Sequence, residues 1–304
     1  MRILSLSLSL SLALARPTLA EDATWDFRKG TVYTYEASSI LEWSLDAKPG
    51  ADGRPKSAKQ RQEEDVTLRL EILSIDDQGN AAIEGTFPAV KVENTAFNKV
   101  SWDSEKSKSS EFLGFKRYET LRTLKFTATV SPRGRVLTSS NAGTPDRAPT
   151  PNTAKEHVEA AALAMHNPTT PRAWLELIFG AVPPVKKKTP RTIRFIEEES
   201  LEVSFDRNEQ QEGRACAKLS FETPDRAASI PEKDVSGAST SDPNAIAWAA
   251  VRAGRKKGEA WFDRKNRCVA KFEAECDVSI AWGPGSTSAR MTWKAELKKH
   301  DVKK

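Results

Sequence analysis

The chain has 304 residues, 38% of them hydrophobic, with 47 lysine and arginine side chains against 42 aspartate and glutamate. This length supports a sizeable core in one or two domains. The small positive balance is spread along the chain, which excludes the clustered basic face of a nucleic-acid binder.

At the start, Arg2 precedes an apolar stretch from Ile3 to Leu14. A polar break at Arg16-Pro17 and the small-residue site Thr18-Leu19-Ala20 follow. This pattern predicts a secretory signal peptide over 1–20, cleaved before Glu21. The other readings are an amphipathic or buried N-terminal helix and cleavage after Ala13-Leu14-Ala15. The apolar run falls short of the roughly 20 residues of a membrane span, and no later run reaches that length. No cysteine lies just past the cut, so a lipoprotein-type anchor has no attachment point. Loss of Arg2 and Arg16 leaves 45 basic against 42 acidic side chains.

Strands are expected wherever apolar and polar residues alternate. Tyr33, Tyr35, Ala37, Ser39, Leu41, Trp43 and Leu45 share one face. The pattern returns over 66–75, 81–93, 123–130, 135–140, 200–206, 214–222, 257–262 and 267–282, and again from Thr287 to Leu297. One apolar and one polar face per strand is the signature of antiparallel pairing. The turns Asp76-Asp77-Gln78-Gly79, Pro132-Arg133-Gly134 and Asp263-Arg264-Lys265-Asn266 join neighbours into hairpins.

Helices are predicted over 153–165 (a Thr153/Glu156 capping box), over 170–179 (opened by Thr170-Pro171, closed by Gly180) and over 242–253 (closed by Gly254). Stretches 46–62, 139–152, 183–191 and 223–241 read as loops. The runs Glu63-Glu64-Asp65 and Glu197-Glu198-Glu199 read as solvated charge preceding strands.

The strand order repeats after about 134 residues, at Gly79/Gly213, a spacing that generic β-meanders also produce. The predicted fold is mainly β (α+β). Curved antiparallel sheet, one or two, forms two pseudo-repeated halves with a helical connection packed on the apolar face. The divisions are a signal peptide over 1–20, a first β half over 21–140, a helical connection over 141–190 and a second β half over 191–304.

Phe27-Arg28-Lys29-Gly30 with Tyr33-x-Tyr35, the stretch Ile75 to Ile83, the stretch Phe126 to Val136, and Leu177-Ile178-Phe179-Gly180 before Pro183-Pro184 resemble a family of exported bacterial proteins, Domain of Unknown Function 6263. The likeness covers most of residues 25–282. Lys186 to Arg191 departs from it, since the family has a Gly-Asp-x-Trp-like entry there. The resemblance implies an envelope or secreted location and no catalytic residues. By shape such proteins are similar to curved-sheet lipoprotein carriers.

Chemistry-bearing motifs are sparse. His157, His166 and His300 are too scattered to suggest a metal or nucleophile–base site, and no phosphate loop, serine elbow or zincin motif is present. No cofactor is implied. Cys268 and Cys276 share one strand face roughly 26 Å apart, too far to bridge. Cys216 should face the other way, so no disulfide is expected unless a bulge turns it. Among eight tryptophans, Trp43, Trp282 and Trp293 lie on apolar strand faces, and Trp174 and Trp248 on helices. Core packing accounts for them, or they line a groove for an apolar ligand. Three functions follow: a non-catalytic envelope or secreted module with a protein partner, a carrier for a lipid-like ligand, or a hydrolase built on an unrecognised carboxylate pair. A filled sheet–helix interface favours the first, a cavity the second, and two carboxylates within about 10 Å in a cleft the third.

Overall fold

The structure, a computed structural model, describes residues 24–47, 56–95, 99–109, 115–140, 171–181, 188–194, 198–222, 250–282 and 285–302. The signal peptide, the helix over 153–165, His157, His166, Trp248 and the loop over 223–241 lie outside them.

Among the described residues, twelve strands form one open, curved antiparallel sheet. They are β1 (Thr31–Ala47), β2 (Lys56–Ile75), β3 (Ala81–Asn94), β4 (Val100–Asp103), β5 (Lys125–Val130), β6 (Val136–Ser140), β7 (Lys188–Arg194), β8 (Glu198–Gln211), β9 (Arg214–Glu222), β10 (Ala250–Asp263), β11 (Cys268–Trp282) and β12 (Gly285–Val302). The order across the sheet is β6-β5-β3-β2-β1-β12-β11-β10-β9-β8-β7, with β4 added to β3. The mainly β expectation holds, and both meanders belong to a single sheet because β1 and β12 pair along their length, from Thr31–Val302 to Trp43–Ala289. At the Asp76 turn, Asp76 Oδ1 accepts the backbone N–H groups of Gln78 and Asn80 at 2.9 and 2.8 Å. Gly79 takes the left-handed conformation there, at φ +80°.

Several elements differ from the sequence reading. The loop expected over 46–62 gives way at Lys56 to β2, whose polar residues Gln60, Gln62 and Glu64 point inward. The Glu63-Glu64-Asp65 run is therefore inside a strand, and Glu64 is fully buried rather than solvated. The loop over 183–191 yields at Lys188 to the edge strand β7. An edge strand tolerates Pro190 because its free side needs no ladder N–H. Ala250 to Gly254, expected to end a helix, are in β10, where pairing with β11 overrides the helix propensity of alanine. The polar stretch between β3 and β5 holds β4 and a helix, α1 (Lys116–Thr123). His300 sits in β12, and Glu198 and Glu199 open β8.

The predicted helix over 170–179 is present as α2 (Pro171–Gly180). Trp174, Leu175, Leu177, Ile178 and Phe179 are all fully buried on the sheet. α2 touches both edge strands, β6 and β7, together with β11, and so lies across the gap between the sheet's two edges. Trp25 locks its end: the ring lies 4.5 Å from Phe179 and edge-on to Tyr33 and Phe262, and its Nε1–H donates to the Phe179 carbonyl at 3.1 Å.

Both meanders carry the same packing device on the apolar face. Phe126 lies over Gly85 on the paired strand, and Phe221 lies over Gly258. A Cβ at Gly258 would fall 2.3 Å from the Phe221 ring and 2.4 Å from the Glu273 carbonyl oxygen. Only glycine allows the rings to lie down there.

A polar belt inside the apolar face

Away from α2, the buried face of the sheet changes character. Register aligns Trp102 on β4, Val92 on β3, Glu64 on β2, Ser39 on β1 and Trp293 on β12 in one row across five strands. The next row holds Asn94, Gln62, Leu41 and Met291, and beyond it Gln60 pairs with Trp43. All these side chains are buried. Polar and apolar groups are thus interleaved within one enclosed patch.

α1 covers the belt. Phe115, Tyr118, Leu121 and Leu124 recur at helical spacing and bury one side of the helix. Its Tyr118 completes a directed chain of hydrogen bonds. Asn94 Nδ2 donates to Gln62 Oε1 at 3.1 Å, Gln62 Nε2 donates to the Tyr118 hydroxyl at 3.0 Å, and that hydroxyl donates to Glu64 Oε2 at 3.2 Å. A network of this kind stabilises when its members are satisfied, because the low local dielectric penalises any group left out. Exposure runs from zero at Ser39 and Glu64 to 6% at Trp43 and Gln60 and 8% at Asn94.

Of the tryptophans singled out in the sequence, Trp43 and Trp293 belong to the belt, Trp174 to α2, and all three are buried in one hydrophobic cluster. Trp282 closes β11, and its side chain falls outside the described ones. Sequence reasoning did not find Trp25, Trp102 or the inward polar residues of β2. The one available signal was Gln60, Gln62 and Glu64 recurring with period two beside an apolar strand.

The polar face carries a trough of about 490 Å³ that crosses β3, β2, β1, β12 and β11. Asp65 and Asp103 lie in it, both opposite Lys91 and therefore two strands, roughly 10 Å, apart. Burial and the neighbouring Glu63 raise the Asp65 pKa, whereas the Glu105 backbone N–H lowers that of Asp103. Lys91 favours the charged form of both, and three lysines interleave with the trough's carboxylates. That is a ladder of alternating surface charge.

The three cysteines are free thiols and buried. Cys268 and Cys276 belong to the main core, and Cys216 packs with Trp261 and Ala270 in a second, small cluster. Burial, followed by the charge of Asp263, pushes the Cys216 thiol up to about 11 and the Cys268 thiol up to about 12. Neither is a ready nucleophile. Among the described residues no group of three or more histidine, cysteine or acidic side chains could hold a metal ion. No described helix is long and apolar enough to cross a membrane.

No protein-family model matches the sequence, and no curated protein matches it. Two solved structures are similar in overall course. One is lipovitellin, from a study of its lipid–protein interactions, at 10% identity and a TM-score of 0.47; the match covers 91% of this chain and 26% of that one. The chain therefore spans about a quarter of lipovitellin's length. The other is a protein taken to be exported, with a YmcC-like fold, from Bacteroides fragilis NCTC 9343. It is 9% identical, with a TM-score of 0.27, and the match covers 92% of this chain and all of that one.

Proposed function

We propose that the protein is an exported, non-catalytic β-rich binding module, periplasmic or secreted, that holds part of an amphipathic ligand against its apolar face. The observation that carries this is the polar belt. A sheet serving only as a scaffold gains nothing from placing Ser39 and Gln60 in its core, because the Ser39 hydroxyl and the Gln60 side-chain carbonyl are desolvated without a hydrogen-bond partner among the described residues. A face that receives a ligand with an apolar body and a polar end needs such a patch at one end. Export rests on the Arg2-to-Ala20 pattern and on the resemblance to Domain of Unknown Function 6263.

A purely structural module is the second reading, favoured by the complete burial of the α2 stripe, which leaves that end of the face filled. Native mass spectrometry of protein purified from its own envelope or secreted fraction separates the two. The binding reading expects a chain beginning at Glu21 with an added small amphiphile. A bare chain that also fails to take up an apolar dye favours the scaffold. A chain still beginning at Met1 overturns export.

A further inference from the structure

Among the described residues the large hydrophobic side chains that stand exposed are Leu73, Ile75, Leu137 and Val302, each at 39–45%. Register puts all four at one end of the sheet, the end where β1 begins. Val302 pairs with Thr31, and the neighbouring Gly30 N–H donates to the Ile72 carbonyl at 2.8 Å. Ile75, Ala81, Val130 and Val136 form one row across β2, β3, β5 and β6. The four side chains therefore lie within about three residues of one level, roughly 10 Å along the strands. Across the sheet, from β6 to β12, they span five strand spacings, roughly 24 Å. That is too wide for one small ligand and suits an extended surface.

Basic side chains fill the intervals. Arg133 and Arg135 precede Leu137, Arg28 and Lys29 lead into β1 between β2 and β12, and Arg264 and Lys265 form the β10–β11 turn. All six are exposed. Of the carboxylates on these turns and strand ends, Asp26 pairs with Arg28 and Asp301 with Lys299, both at 2.6 Å. Asp76 accepts from its own turn, and Asp263 is buried. That leaves Asp77 and Glu212 against the other five basic groups. Charges spread along the sequence are thus gathered at one rim by the fold, alternating with exposed apolar groups. Apolar side chains that enter the headgroup layer, with basic ones beside them to meet lipid phosphates, are what attaches a protein to an anionic membrane surface. We infer that this rim docks on an anionic phospholipid surface, a contact separate from the polar belt.

The test is cosedimentation of the mature protein, Glu21 to Lys304, with vesicles of phosphatidylcholine alone or with about a third phosphatidylglycerol. Attachment to the anionic vesicles should be about tenfold tighter or more, and should weaken as salt is raised. Lys29→Glu with Arg135→Glu should loosen it by about tenfold or more. Leu73→Ser with Ile75→Ser should loosen it several-fold, and Asp77→Lys should tighten it. Lys91→Glu with Lys294→Glu makes the same charge change at exposed positions in the middle of the polar face, and should have a much smaller effect. Equal attachment to the two kinds of vesicle, no attachment to either, or an equal loss from the two charge-reversed pairs overturns the inference. Should the serine pair fail to fold, the two charge-reversed pairs still decide it. Dye uptake by the same proteins reports on the amphiphile reading, which stands or falls separately.

Discussion

Trp174 gives the most direct test of how the sheet is closed. It is fully buried in α2, at the place where that helix lies across the gap between β6 and β7. A buried indole removes about 150–250 Å² from water, worth about 4–6 kcal/mol at ~25 cal/mol per Å². Alanine keeps a little of that and the unfolded chain already hides some, which leaves the ~3–5 kcal/mol typical of large-to-small core changes. One term runs the other way. The Trp174 N–H has no hydrogen-bond partner among the described residues, so deleting the ring also removes a desolvated donor worth ~1–3 kcal/mol. Taking the middle of each range, Trp174→Ala should therefore cost about 2 kcal/mol. Trp174→Phe keeps most of the ring, discards the lone donor, and should stay within about 1 kcal/mol of the parent. Urea unfolding of the three proteins, with the denaturant slope unchanged, reads both numbers. An alanine variant as stable as the parent would mean that α2 is not docked. A phenylalanine variant as weak as alanine would mean that the N–H does have a partner.

Glycine substitutions should separate crowding from backbone strain. Gly258→Ala drives a Cβ into the Phe221 ring and the Glu273 carbonyl, an overpacking cost of about 1–3 kcal/mol or more. Gly213→Ala meets nothing within 4 Å and bears only its φ of +76°, about 1–2 kcal/mol; thermal melts showing the reverse order would sink the packing account. His300 stacks flat on Tyr33, centroids 5.0 Å apart, and burial holds its pKa below the ordinary value. The unfolded chain then takes up that proton first, so its contribution is complete above about pH 6.5 and is lost as the pH falls from there through the lowered folded-state pKa. His300→Phe should melt with a smaller loss between about pH 7.5 and 5.5 than the parent, and equal losses would refute the assignment. With their thiols pushed up to about 11 and 12 by burial, Cys216 and Cys268 should resist iodoacetamide at neutral pH until the chain is unfolded. Rapid labelling of the native protein, read by intact mass, would contradict this.

Alternation made the strands legible wherever one face is apolar and the other polar, as in β1, β3, β9 and the body of β11. It failed where a strand places polar residues inward. Gln60, Gln62 and Glu64 break the apolar stripe of β2, so the first third of that strand looked like loop and acidic surface. The same inversion hid the belt, because its partners Asn94 and Tyr118 arrive from β3 and from α1, an eight-residue helix in a polar stretch. Local propensity misled at Ala250 to Ala253, where cross-strand partners on β11 decide the conformation. Trp43, Trp174 and Trp293 were correctly read as inward, yet the atoms that make the belt chemically distinctive are the Ser39 hydroxyl and the side-chain amides of Gln60, Gln62 and Asn94. No composition count singles these out.

The order of strands also governs when this molecule can exist as a folded object. β1 and β12 are neighbours at the middle of the sheet although some 250 residues separate them. Each meander can assemble from local hairpins, but β1 is seventeen residues long, and its second edge has no partner until β12 is available. A long bare edge of that kind recruits strands from other chains, and closure across such a separation is slow. The central seam therefore acts as a completion check: a chain interrupted before Gly285 keeps an adhesive edge, and one that reaches Val302 covers it with its own last strand.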